Sequence, residues 1–254
     1  MKRKLAVLLT AATVFSTILP TTCMAAEKKA DIPEGTTISF WHAMGGVNGE
    51  ALDYLVNKFN EENEYGIKVD SQYQGEYDDE INKLKSAQLG NMGADLVQIY
   101  DIGTRFMIDS GWVIPMQDMI DSEGYDVSDL EPNITAYYTV DDKLYSMPFN
   151  SSTPILYYNK DMFEEHGWTI PTTWDEFTAL CERIEAEGIQ PLYFGFKDSW
   201  TCLAPWNAIA ADLAPSDVCS EVNKGNTTFT DNYREVAEKE KALLAYAQDN
   251  SAAY

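Results

Sequence analysis

The segment FNSSTPILYYNKD, residues 149–161, is mainly polar before Pro154 and apolar and aromatic directly after it. Its first half carries hydroxyl and amide groups that can hydrogen-bond a ligand or the local backbone. Pro154 then removes one amide donor and favours an extended conformation at Thr153. Residues 155–158 are apolar and aromatic strand formers. Two interpretations remain open: an ordinary turn followed by a core strand, or a crossing between two lobes whose polar half faces a cleft.

Strands and helices alternate upstream of this segment. The pattern predicts strands over residues 36–41, 67–73 and 96–100, with apolar positions at helical spacing between them. This alternation predicts βαβ units, and therefore a parallel sheet with helices on both faces. Ligands of such sheets bind beyond the carboxyl ends of the strands. The segments to examine for a binding site are therefore the ones that follow each strand.

A second α/β pattern begins after the segment. Thr173 and Glu176 have the spacing of a capping box, which predicts the start of a helix with an apolar stripe. A strand is predicted over residues 191–196. Further helices are predicted over residues 206–213 and 231–248.

The N-terminus has the pattern of an export signal. Basic residues are followed by an apolar run at residues 5–19 and then by small residues, so residues 1–25 are predicted to be a signal peptide cleaved after Ala25 or Ala26. The mature protein is accordingly expected in the periplasm or outside the cell. A second interpretation is that the chain is anchored by a lipid on Cys23.

The three cysteines beyond the signal are too few and too scattered for a metal site. At most one pair can form a disulfide, and Cys202 and Cys219 are the better candidates because they flank a helix-like segment. Cys181 falls on the apolar side of a predicted helix and is expected to be buried. The two histidines, His42 and His166, are far apart in sequence and fall in different lobes, so neither a metal nor another cofactor is predicted.

The net charge of -23 argues against nucleic acid or an anionic membrane surface as the main partner. Gly45 and Gly46 are not followed by the Lys-Ser or Lys-Thr pair of a nucleotide phosphate loop. Ser151 and Ser152 lack the context of a nucleophile elbow. These observations favour a binding module over an enzyme.

Four motifs resemble the extracellular solute-binding proteins of ABC importers. They are FWHAM at residues 40–44, YQGEY at 73–77, IYDIGT at 99–104 and the long segment that begins at Pro148. Within this group, the sequence is most similar to the sugar and glycerol-phosphate type, and above all to periplasmic binders of sn-glycerol-3-phosphate. The last motif is long and specific, and the similarity extends over nearly all of the mature chain in the same order.

The resemblance implies an α/β fold of type II, a two-lobed periplasmic-binding-protein clamshell that closes on its ligand and is then recognised by the membrane permease. Residues 26–151 would form the first lobe and residues 152–254 part of the second. Members of this group continue beyond the equivalent of Tyr254, so the second lobe and the segments that return to the first are expected to be incomplete. The implied partners are a small solute, a glycerol phosphate or a sugar, and the ABC permease subunits.

The resemblance also implies five ligand-binding residues. Tyr77, Asp101 and Ser152 occupy positions where the group contacts ligand, and Trp200 and Trp206 lie in a stretch whose counterpart lines the cleft. The glycerol-3-phosphate binders have a glutamate at the position of Asp101, and the shorter side chain leaves room for a larger ligand or a bridging water. Purely structural roles stay open for all five, as a helix start, a helix cap, a turn and two core tryptophans.

Two other classes of function remain as alternatives. One is an exported enzyme that acts on a small polar substrate, for which turnover of a glycerol phosphate or a glycoside would be the evidence. The other is a surface adhesin, for which binding to a host or peptide surface without any effect of a small ligand would be the evidence.

Overall fold

The computed structural model describes residues 32–90 and 92–254. The predicted signal peptide, residues 1–25, and the lipidation candidate Cys23 lie outside the described residues. Within the described ranges, no helix combines the length and the apolar character needed to cross a bilayer.

The described chain divides into two compact units between Phe149 and Asn150. Each unit has its own hydrophobic cluster. The assignment of residues 26–151 and 152–254 to the two lobes of a clamshell stays a prediction.

The first unit is built on a three-stranded parallel sheet. Its strands are β1 (Thr37–His42), β2 (Lys68–Tyr73) and β3 (Leu96–Val97), and a small antiparallel hairpin is formed by β4 (Thr139–Val140) and β5 (Lys143–Leu144). The strand order β2-β1-β3, with both pairings parallel, confirms the predicted parallel α/β arrangement. The helices are α1 (Gly46–Glu62), α2 (Tyr77–Gln88), α3 (Thr104–Ser110), α4 (Met116–Glu123) and α5 (Pro132–Tyr137).

The core of this sheet follows from the alternation along β1. Phe40 is buried and packs with Met44 and Leu52, so one face of the strand is covered by α1. The third strand is shorter than predicted, because only Leu96 and Val97 pair with β1 as strand residues. The backbone N–H of Gln98 makes one further hydrogen bond to β1, to the backbone carbonyl of Trp41 at 2.9 Å. The next turn, the 3-10 helix Asp101–Gly103, then begins directly beyond the sheet.

The second unit is mainly helical. Its helices are α6 (Lys160–His166), α7 (Trp174–Ala186), α8 (Leu203–Leu213), α9 (Val218–Asn223) and α10 (Phe229–Leu244), with 3-10 helices at Ser199–Cys202 and Ser251–Ala253. Its core is a cluster of five buried side chains, Cys181, Leu192, Ile209, Val236 and Leu243. Cys181 is therefore buried, as predicted.

The predicted start of α7 is confirmed, with a small change in the capping bonds. Thr173 Oγ1 accepts a hydrogen bond from the backbone N–H of Glu176 at 3.2 Å. The Glu176 carboxylate reaches past Thr173 and accepts from the backbone N–H of Thr172 at 2.7 Å. The bond from the Thr172 backbone N–H and a second one from the Thr172 hydroxyl hold the pKa of Glu176 below its ordinary value.

The interpretation of residues 155–158 as a core strand is wrong. The segment forms no regular secondary structure, and Ile155 and Leu156 are each 67% exposed. Neither sheet among the described residues includes it. Strand-forming side chains fix a strand only where a neighbouring strand takes up the backbone hydrogen bonds.

The strand predicted over residues 191–196 is reduced to one isolated bridge between Leu192 and Ala247. The side-chain amide of Gln248 takes the place of a partner strand, because it accepts from the backbone N–H of Phe194 at 2.9 Å and donates to the Phe194 carbonyl. The segment is thus held extended without a continuous ladder.

Cys202 and Cys219, the better candidates for a disulfide, are not paired: both thiols are free and exposed. Cys219 lies on α9 and interacts with the Tyr233 hydroxyl, which together with burial raises the pKa of Tyr233. Cys202 lies instead at the start of α8. A spacing of two cysteines around a helix gives no information on whether they point towards each other.

Candidate functional site

Two of the predicted ligand-binding residues come together at the carboxyl end of the parallel sheet in the first unit. Tyr77 begins α2 four residues after β2 ends, and Asp101 begins the 3-10 helix that follows β3. The strands β2 and β3 lie on either side of β1 and all three are parallel, so these two turns are at the same edge of the sheet. The aromatic rings of Tyr77 and Tyr100 stack in parallel with their centroids 5.1 Å apart.

The pKa values of three tyrosines are raised by burial and, to a smaller extent, by the charge of Asp101. Burial raises the pKa of Tyr77, and the charge of Asp101 is among the acidic neighbours that raise it further. Burial and a 2.8 Å hydrogen bond to Asp78, with a smaller effect of Asp101, raise the pKa of Tyr100 to about 12. The pKa of Tyr138 is raised by burial and then by Asp101. The charge of the exposed Asp101 carboxylate thus acts on three tyrosines, and we call these four residues the tyrosine cluster (Tyr77, Tyr100 and Tyr138, with Asp101).

The turn before Tyr77 is fixed by its own hydrogen bonds. Glu76 and Asp79 form a reciprocal capping box at the start of α2, in which each side chain accepts from the other residue's backbone N–H. Gly75 has a φ of 101°, and a Cβ at this position would lie 2.8 Å from a carboxylate oxygen of Asp79. Only glycine allows this turn at low cost, so the tight turn sets the position of the Tyr77 ring.

Glu80 lies one helical turn beyond Tyr77 and is almost completely buried, at 1% exposure. Neither of its carboxyl oxygens has a hydrogen-bond partner among the described residues. Burial raises the pKa of Glu80 to about 8. Its charge, when present, contributes to the raised pKa of Tyr77. At neutral pH this carboxyl is therefore mostly protonated in the folded protein.

His42 is a structural residue of this sheet edge. It is buried, and its Nδ1 accepts a hydrogen bond from the backbone N–H of Met44 at 3.2 Å. Burial lowers the pKa of His42, although the charge of Asp53 opposes this. The side chain of Gln98 accepts from the backbone N–H of Ala43 at 3.1 Å, so the turn after β1 is tied to β3.

The other three predicted residues lie in the second unit. Ser152 is exposed in the extended segment before α6. Trp200 is part of the 3-10 helix Ser199–Cys202 and is half-buried. Trp206 is on α8, where its ring packs edge-on against Tyr233 with 5.6 Å between centroids. The ligand roles of these residues, like those of Tyr77 and Asp101, stay predictions.

Trp206 lines a cavity of about 680 Å³ within the second unit, a size in the range of small-molecule sites. Burial raises the pKa of Glu240, one of the carboxyl groups in its wall. Trp200 is not part of this wall. The cavity is lined by Phe196, Cys202, Leu203, Trp206, Glu240, Leu244, Ala245, Ala247, Gln248, Asp249 and Ser251.

Sequence reasoning missed Tyr100, Tyr138, Glu80 and Glu240. Helical spacing places Glu80 on the same stripe as Tyr77 and Leu84, but an acidic residue on a helix is usually solvated, so this spacing does not predict its burial. For Tyr138 there was no sequence signal, since it is brought to the site by the hairpin that follows it. Within the described ranges, no group of three or more histidine, cysteine or acidic side chains is arranged to hold a metal ion.

Comparison with known proteins gives a consistent family assignment. The model of the family described as bacterial extracellular solute-binding protein matches residues 45–254. The sn-glycerol-3-phosphate-binding periplasmic protein UgpB of Brucella abortus (strain 2308) is 32% identical over 225 residues, which is 81% of this chain and 51% of the relative. UgpB of Escherichia coli (strain K12) is 35% identical over 186 residues, or 68% of this chain and 42% of the relative. The chain spans about half the length of the curated relatives it matches.

Solved structures show the same fold. The bacterial solute receptor AcbH, described as having an exclusive preference for β-D-galactopyranose, matches with a TM-score of 0.70 at 19% identity, covering 87% of this chain and 56% of that one. The raffinose complex of the solute-binding protein RafE matches with a TM-score of 0.63 at 24% identity, over 85% and 56% of the two chains. These matches confirm the predicted fold class, that of type II periplasmic binding proteins.

Proposed function

This chain belongs to the bacterial extracellular solute-binding protein family, and from that premise we propose that it is the extracytoplasmic solute-binding component of an ABC importer. It captures sn-glycerol-3-phosphate, a glycerophosphodiester or a related sugar and presents it to the permease subunits. It carries out no catalysis and needs no cofactor. Export by the signal at residues 1–25, with lipid anchoring at Cys23 as the alternative, is part of this proposal.

The tyrosine cluster is the observation that carries the proposal. It lies beyond the carboxyl ends of parallel strands, where ligands of open α/β sheets bind. The Asp101 carboxylate is exposed and can accept hydrogen bonds from ligand hydroxyls. The rings around it supply apolar surface and phenolic hydroxyl groups, the combination that a polyol requires. Ser152, Trp200 and Trp206, in the second unit, are also proposed to be ligand-binding residues.

Solute binding is expected to raise the thermal stability of the purified protein. A ligand that binds only the folded state stabilises it by about 2.7 kcal/mol at one hundred times its dissociation constant. A thermal-shift panel of sn-glycerol-3-phosphate, a glycerophosphodiester, galactose and raffinose tests this. If none of them moves the midpoint, the proposal fails. Turnover of any of them would favour the enzyme alternative instead.

The change Asp101→Ala is expected to weaken binding of the stabilising solute by about 1 to 3 kcal/mol, because hydrogen bonds to a charged acceptor are lost. The melting temperature without ligand should stay nearly constant, since the side chain is exposed. Isothermal titration calorimetry measures the first effect. Asp129→Ala, which removes an exposed carboxylate elsewhere in the same unit, is the matched control. Equal affinities of the two variants would assign Asp101 a structural role only.

A further inference from the structure

The two segments that carry Tyr77 and Asp101 are not neighbours in the sheet. Tyr77 follows β2 and Asp101 follows β3, and β1 lies between these two strands. The ladder hydrogen bonds therefore hold each segment to β1 and not to the other. How far the Tyr77 ring lies from the Asp101 carboxylate also depends on contacts made beyond the ends of the strands.

Tyr100, the residue before Asp101, makes two contacts with the start of α2. Its hydroxyl donates a hydrogen bond to Asp78 Oδ1 at 2.8 Å. Its ring stacks on the ring of Tyr77, with 5.1 Å between centroids and an angle of 3° between the ring planes. Because Asp78 directly follows Tyr77 in the chain, both contacts hold the same point of α2. Tyr100 thus links the two segments that the sheet leaves apart.

Both stacked rings are packed against other parts of the first unit. The 3-10 helix after Tyr100 approaches α2 closely, because a Cβ on Gly103 would lie 2.9 Å from Ile81 Cδ1 and 3.4 Å from Cε1 of Tyr100. Close packing leaves a side chain few alternative orientations, so the two rings are expected to keep one arrangement without solute. The Tyr77 side chain also packs against the buried cluster of Phe40, Met44 and Leu52.

The Tyr100 side chain is already used inside the protein. Its hydroxyl donates to Asp78, and one face of its ring is covered by Tyr77. Resting on the proposed solute-binding function, we infer that Tyr100 is a positioning residue, which holds the Tyr77 ring in place relative to the Asp101 carboxylate and affects solute affinity through them. Groups that are ordered before the solute arrives lose less conformational entropy when it binds. Loss of this support should therefore weaken binding.

Calorimetry with the solute that gives the largest thermal shift in the panel above tests this role. Tyr100→Leu removes the hydroxyl and the ring and is expected to weaken binding about tenfold. In a protein that already carries Tyr77→Leu, the same change should have almost no further effect, because no ring is left to position. Equal losses in the two backgrounds would mean that Tyr100 contacts the solute itself. That result, or no loss in either background, would overturn the inference and leave the proposed function standing.

Variants of Asp78 test the hydrogen bond that holds Tyr100. Asp78→Ala removes the acceptor and should weaken solute binding about threefold. Asp78→Asn removes the same charge but keeps an acceptor oxygen, so it should bind solute as the unmodified protein does. Asp129→Ala removes an exposed carboxylate elsewhere in the first unit and should leave the affinity unchanged. If Asp78→Asn binds as weakly as Asp78→Ala, the hydrogen bond does not position the site and the inference fails.

Fluorine NMR of the solute-free protein labelled with fluorotyrosine gives a reading that does not depend on binding. The Tyr77 resonance is identified by its absence from the Tyr77→Leu variant. Asp78→Ala should move this resonance towards that of free fluorotyrosine, and Asp78→Asn should not. A Tyr77 resonance that stays unchanged in Asp78→Ala would overturn the inference whatever solute binds. If it moves but no solute of the panel binds, the proposed function fails and Tyr100 has a structural role only.

Discussion

Replacing Glu80 with methionine is expected to raise the free energy of unfolding of the first unit by about 3 kcal/mol at pH 7. The side chain is 1% exposed and neither carboxyl oxygen has a partner among the described residues. Its pKa is raised from the ordinary 4.5 to about 8 by burial. Unfolding therefore releases a proton at neutral pH, and this release favours the unfolded state. Methionine has a similar length and removes the ionisable group.

The stabilisation expected from Glu80→Met depends on pH, because the pKa of Glu80 differs between the folded and the unfolded state. The folded pKa lies above the unfolded one, so below pH 4.5 the carboxyl is neutral in both states and carries no ionisation penalty. Between pH 4.5 and about 8 the penalty grows by about 1.4 kcal/mol per pH unit, and it is constant above that range. The difference in free energy of unfolding between Glu80→Met and the unmodified protein should therefore increase over the same pH range and then stay constant. Urea unfolding at pH 4.5, 6, 7 and 8 measures it.

Two control variants separate ionisation from the other effects. Glu80→Gln also removes the ionisable group but leaves a buried amide without partners, so its gain at pH 7 should be smaller than that of methionine. Glu61→Met makes the same change at an exposed position of α1 and should alter stability little at any pH. A difference between Glu80→Met and the unmodified protein that stays constant from pH 4.5 to 8 would contradict the assignment of a raised pKa.

This carboxyl also shows which parts of the site the sequence could predict. The order of β1, α1, β2 and α2 follows from local periodicity, and the positions of Tyr77 and Asp101 follow from the rule that parallel strands end together. Glu80 shares the helical stripe of Leu84, but an acidic residue on a helix is usually solvated, so the sequence pattern alone gives no reason to bury it. The position of Tyr138 depends on how later segments fold back, which local patterns do not encode.

Residues 155–158 illustrate the same limit in the second unit. Their composition is that of a strand, but a strand also needs a neighbour, and the described residues provide none. The extended segment near Phe194 shows the intermediate case, in which a single side chain, Gln248, supplies the bonds of a missing strand. The capping of α7 was predictable because Thr173 and Glu176 are only three residues apart. In the second unit, the feature whose partners are close in sequence is confirmed, and the two predicted strands, which need distant partners, do not form regular strands.

Replacing Ile209 with alanine is expected to destabilise the second unit by about 2 to 5 kcal/mol. Ile209 lies on α8, is 1% exposed and packs in the core cluster with Val236 and Leu243 of α10. The change leaves a cavity at the contact between the two helices, and the surrounding side chains can fill it only in part. Hydrogen exchange followed by mass spectrometry should show lower protection of peptides from α8 and α10.

The matched control for this change is Leu203→Ala on the same helix. Leu203 has an aliphatic side chain of the same size but is 41% exposed, because it lies in the wall of the open cavity. Its loss should cost less than Ile209→Ala, since about two fifths of the side chain is already in contact with water and no closed cavity is created. If the two variants lose protection equally, the packing of α8 against α10 does not determine the stability of the second unit, and the cavity wall is as important to its folding as the core.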